Sequence, residues 1–160
     1  MPGVDPLARF PAVIEAGGRR YTRRPACYAV HGPLPAEVMR SASHRWPESG
    51  LAVCAGDPPP SLPPTSLGAV YESEPGGTPM VPSGRVFVRF AERLRAEDRR
   101  EQIASAGYVI QQVPEFAPHA AWVEALSGDI ADGLRSLSAL QALPGVENVE
   151  PQILSPRAAR

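Results

Sequence analysis

Between residues 85 and 151 the chain reads strand, helix, strand, strand, helix, strand, and no other feature constrains the fold as tightly. Residues 85–90 alternate Val86 and Val88 with Phe87 and run into Phe90, a β-branched and aromatic pattern that predicts the first strand. A helix is expected over about 96–106, with Gly107 placed as a C-terminal cap. Residues 109–113 and 120–126 predict two further strands, joined through a turn containing Pro114 and Pro118 and pairing antiparallel. Ile130, Leu134, Leu137 and Leu140 fall on one helical arc that begins near Asp129 and is ended by Pro144 and Gly145. Residues 146–150 then form the last strand. This order predicts an α+β unit, a βαββαβ antiparallel sheet with both helices on one face.

Two stretches of this segment, Val86-Phe-Val-Arg-Phe90 and Leu143-Pro-Gly-Val-Glu-Asn-Val-Glu-Pro151, carry a resemblance to a known family. The segment resembles the propeptide and inhibitor domain of subtilisin-like serine proteases, a ferredoxin-like module that folds its protease and then blocks it. The resemblance implies that the open sheet face packs on two surface helices of the protease. It also implies that Glu150 caps a helix N-terminus there, an interaction of about 1 kcal/mol reinforced by the helix dipole. Where the family often has a second acid, this chain has Gln152. The tail Gln152, Ile153, Leu154, Ser155, Pro156, Arg157, Ala158, Ala159 and Arg160 would lie extended in the substrate cleft as a product-like plug, adding a strand by main-chain hydrogen bonds. Arg157, Ala158 or Arg160 would enter the specificity pocket according to register, and Pro156, lacking an N–H, restricts that register.

Residues 1–83 differ in character. They hold most of the 20 prolines, including the run at 57–64, which favours polyproline or loop geometry. Within them, residues 12–24 predict a β-hairpin turning at Gly17 and Gly18. Residues 35–45 predict a short helix headed by Pro35, and 51–55 a short buried strand. The region is thus a Pro-rich extension or a small subdomain, followed by a linker around 76–84. Domain boundaries are expected at 83/84 and 151/152.

A net charge of −1 and a pI near 6.3 give no general attraction to nucleic acid or anionic membrane. The arginines at 19, 20, 23 and 24 would be split between the faces of the hairpin. In the RNA-recognition fold, which shares the βαββαβ order, the third strand carries a basic and aromatic motif that His119-Ala-Ala-Trp-Val-Glu124 does not match. No apolar run has the length of a membrane span or the form of a signal peptide, so a cytoplasmic protein is expected.

Cys27 and Cys54 sit in apolar contexts as reduced, buried thiols, and neither they nor His31, His44 and His119 have metal-ligand spacing. No nucleophile elbow, phosphate-binding loop or dinucleotide fingerprint occurs, so neither enzyme nor cofactor is expected. The resulting expectation is an inhibitor, and intramolecular-chaperone-like partner, of a subtilisin-like serine protease. Starting at Met and stopping after the tail, it reads as separately encoded and acting in trans. The competing reading is a ferredoxin-like adaptor with no protease partner.

Overall fold

The computed structural model describes residues 5–16, 18–46 and 49–155. It is a mixed α/β chain with antiparallel sheets that divides into two compact units. The first comprises residues 1–15, 19–82 and 153–160, and the second residues 16–18 and 83–152.

In the first unit, strands β1 (Val13–Ala16) and β2 (Arg19–Arg23) are neighbours in a three-stranded sheet completed by β7 (Tyr71–Glu72). The expected hairpin thus gains a partner strand from the end of the proline-rich region. A second sheet has the order β4-β5-β3-β6, from β3 (Cys27–His31), β4 (His44–Trp46), β5 (Leu51–Ala55) and β6 (Leu67–Gly68). Its two inner strands are apolar without alternation, because Tyr28, Ala29 and Val30 and then Leu51, Ala52, Val53 and Cys54 are all buried. The helix α1 (Ala36–Ser41) stops short of residue 45, since residues 44–46 pair with β5 instead. Residues 57–63 form neither helix nor strand, as the prolines there dictate. Ala29, Leu51, Val53, Val70 and Val81 make the core of this unit, with Cys27, Trp46 and Leu154 packed on it. Cys27 and Cys54 are both free thiols.

His31, at the end of β3, is half-buried with its Nε2 enclosed, and that nitrogen has no hydrogen-bond partner among the described residues. Gly68 leaves it room, since a Cβ there would lie 2.5 Å from that nitrogen. Burial pulls the imidazole down to about 4 from its ordinary 6.5, so the folded chain holds it neutral where the unfolded chain binds a proton. Its contribution to stability is therefore full above about pH 6.5 and is lost as the pH falls toward 4. Urea unfolding at pH 7 and pH 4 should show a loss on the order of 2 kcal/mol from this group. His31→Gln should remove that part of the pH dependence, and an unchanged slope would contradict the assignment.

In the second unit the sheet order is β11-β8-β10-β9, built from β8 (Val81–Phe90), β9 (Tyr108–Gln112), β10 (Ala120–Ala125) and β11 (Val146–Leu154). β10 lies antiparallel to both β8 and β9. The helices are α2 (Arg100–Ser105), α3 (Ile130–Arg135) and α4 (Leu137–Gln141). Val86, Val88 and Phe90 of β8 and Ala121 and Val123 of β10 form one core with Ala96, Ile103 and Leu140 from the helical segments.

Four boundaries depart from the expectation, each for a physical reason. β8 begins at Val81, inside the expected linker, because Val81 is fully buried and Gly84, at φ +97°, supplies backbone that a side chain rarely adopts. The first helix opens as a 3-10 turn, Ala96–Arg99, since Arg95 at its start offers no side-chain cap. The second predicted helix is two, α3 and α4. The Gly133 carbonyl, which a continuous helix would present to the Leu137 amide, accepts the Tyr108 hydroxyl, and the chain turns at Ser136. β11 continues past Glu150 to Leu154; as an edge strand it tolerates Pro151, which has no N–H to donate.

Candidate protein-binding surface

Alternation in β8 and β10 sorts their side chains onto two faces. Val86, Val88, Phe90, Ala121 and Val123 join the helices, which leaves Arg85, Phe87, Arg89, Trp122 and Glu124 on the opposite face. Phe87 and Trp122 are direct cross-strand partners, with ring centroids 5.1 Å apart and planes at 65°. The Arg85 guanidinium stands 4.6 Å over the Trp122 ring and donates to Gln112 Oε1 at 3.3 Å. Both contacts orient the indole: edge-on aromatic pairs are worth about 0.5–1.5 kcal/mol and exposed cation–π pairs about 0.5–1 kcal/mol. Arg89 and Glu147 pair at 3.3 Å toward one side. Toward the other, the Ser83 hydroxyl donates to Gln152 Oε1 at 2.7 Å. The result is a half-exposed aromatic centre inside a polar rim, the composition of an interface hot spot.

The residues singled out from the sequence lie along or beyond β11. Glu150 is half-buried, and strand alternation places it on the same face as Gln152. Ile153 and Leu154 belong to the first unit and are half-buried, Leu154 against the core of that unit. Ser155 is exposed, and its carbonyl accepts the indole N–H of Trp46 at 3.3 Å. Pro156, Arg157, Ala158, Ala159 and Arg160 lie outside the described residues. Phe87 and Trp122 were visible in the sequence only as strand residues. Their pairing needs the register Trp122↔Phe87, which no local pattern supplies.

The glycine of the Leu143-Pro-Gly-Val stretch has a local cause. Gly145 adopts φ +82°, its carbonyl accepts the Ala91 amide at 2.9 Å, and a Cβ there would collide with Leu94 Cδ1. The stretch thus keys the start of β11 against the end of β8.

A recess of about 770 Å³ in the first unit is lined by Asp5, Arg23, Cys27 and Asp57 among others. Two of its charges, Arg23 and Asp5, pair at 2.6 Å. Burial, the largest influence, pushes the Cys27 thiol up, which keeps it protonated and weakly nucleophilic at neutral pH. Among the described residues no group of three or more His, Cys, Asp and Glu side chains could hold a metal ion, and no helix is long and apolar enough to cross a membrane.

No known protein family matches the chain, and no curated protein does. Among solved structures, a chain in the crystal structure of the Aeromonas sobria serine protease (ASP) and chaperone (ORF2) complex is similar at 15% identity with a TM-score of 0.45. The match covers 92% of this chain and 99% of that one. A likeness of that degree carries no weight for fold or function.

Proposed function

We propose that this chain is an inhibitor and folding partner of a subtilisin-like serine protease, with residues 83–152 acting as a ferredoxin-like binding module. The observation that carries the reading is the helix-free face of a β11-β8-β10-β9 sheet with Phe87 and Trp122 at its centre. Such a face suits packing against the surface of a folded protein, where desolvated aromatic anchors supply most of the affinity. Its last strand carries the Val149-Glu150 phrase in which the sequence resembles the propeptide family, and runs on to Leu154 ahead of a tail of cleft-filling chemistry. Inhibition by occupancy requires no catalytic residue of its own.

The test is inhibition of a panel of subtilisin-like proteases by the full chain and by a form ending at Ser155. The full chain should inhibit, and removing residues 156–160 should raise the inhibition constant at least about tenfold, the effect of losing a few main-chain hydrogen bonds and one seated side chain. The same aromatic face also fits an adaptor that binds some other protein. That reading wins if no protease is inhibited and the chain is digested throughout.

A further inference from the structure

The first unit has no assigned role, yet it holds the segment from which the tail departs. Leu154 packs on the core made by Leu51, Val53, Val70 and Val81, and Trp46 packs on the same core. Trp46 lies on β4, an edge strand, where it pairs with Leu51 of β5. Its indole N–H crosses to the Ser155 carbonyl at 3.3 Å, the next residue after Leu154. One side chain therefore shares an apolar seat with Leu154 and holds the main chain of Ser155 by a hydrogen bond. His44, two residues earlier on β4, is stacked near the indole, with ring centroids 6.5 Å apart.

We propose that Trp46 and the core beneath it clamp the chain at Leu154 and Ser155, so that the root of the plug is held at a fixed point before it meets a cleft. This rests on the inhibitor reading, and it gives the first unit a function: it preorganises the plug. A tail fixed at its root loses less freedom when it enters a cleft than one free from Gln152 onward. The clamp also fixes which tail residue reaches the specificity pocket, since sliding the chain by one residue would turn every side chain over. Trp46 is thus a positioning residue that acts through Ser155.

The test is a double-mutant cycle between Trp46→Phe and removal of residues 156–160, read as inhibition constants against the protease most strongly inhibited by the full chain. Trp46→Phe keeps an aromatic ring on the core and deletes only the N–H and part of the ring system. It should weaken inhibition about five- to tenfold in the full chain, the effect of one hydrogen bond and some lost ordering. In the form ending at Ser155 it should have no effect. Equal weakening in both forms would make Trp46 merely structural and overturn the clamp, as would no effect in either. Leu154→Ala provides a second route to the same loss should Trp46→Phe lower the melting temperature. If the full chain inhibits nothing, the inhibitor reading falls first. The clamp is then judged by amide exchange at Ile153 and Leu154, which Trp46→Phe should accelerate and which unchanged exchange would contradict.

Discussion

Phe90→Ala should lower the unfolding free energy of the second unit by about 3–5 kcal/mol, the range for removing a buried phenyl ring and leaving a cavity. Phe90 is fully buried at the end of β8, in the same core as Ile103, Tyr108 and Leu140. Relaxation around it is restricted. A Cβ on Gly145 would stand 3.9 Å from its ring, and the Phe90 amide is bonded to the His119 carbonyl at 2.8 Å, so the backbones on two sides are held. A domain of this size has a total stability of about 5–15 kcal/mol, so the variant should be near the edge of folding at 37 °C. Urea unfolding followed by far-ultraviolet circular dichroism measures the loss. A loss below about 1.5 kcal/mol would mean that the site collapses freely and that the packing described for β8 is wrong.

Trp122→Ala should weaken the proposed protease binding by about 30- to 1,000-fold, the equivalent of 2–4 kcal/mol expected of a central aromatic anchor. The indole meets the Phe87 ring edge-on and carries the Arg85 guanidinium on its face, so it is held in place before any partner arrives. The same change should cost the isolated chain only about 1–2.5 kcal/mol, the sum of the two contacts that are lost. Comparing inhibition constants with unfolding midpoints separates the two effects. If affinity falls no further than stability does, the aromatic face is ordinary surface and the sheet binds nothing through it. Arg89→Ala, at the rim, is the contrasting control and should change affinity by less than about threefold, as solvent-exposed charge pairs do.

The order of elements from residue 85 onward was legible because each signal there is local. Val86 and Val88 alternate within β8, Gly107 ends the first helix at φ +97°, and Asp129 caps the second through the Ala131 amide. What escaped the sequence depends on distant partners. The break at Ser136 needs the Tyr108 hydroxyl, twenty-five residues from its acceptor on Gly133. Pro82 and Gly84 read as linker residues, yet they lie inside a strand because Val81 fills a core made elsewhere in the chain. β6 went unread because two residues carry no periodicity. For the candidate surface, Glu150 and Gln152 followed from a resemblance carried by neighbouring residues. The hold of Trp46 on Ser155 spans 109 positions and leaves no trace in local pattern.

The second unit interrupts the first, since residues 83–152 fall between Pro82 and Ile153. This has a consequence for the order in which the molecule can be made. A growing chain emerges from the ribosome N-terminal end first at about 5–20 residues per second, and domains fold as their residues become available. Every strand of the second unit's sheet from Ser83 to Gln152 is therefore translated before Leu154, which the first unit packs on its core. The unit that begins earlier is completed later. A released chain ending at Gln152 should display a folded aromatic sheet face while its N-terminal portion still lacks its last apolar residue.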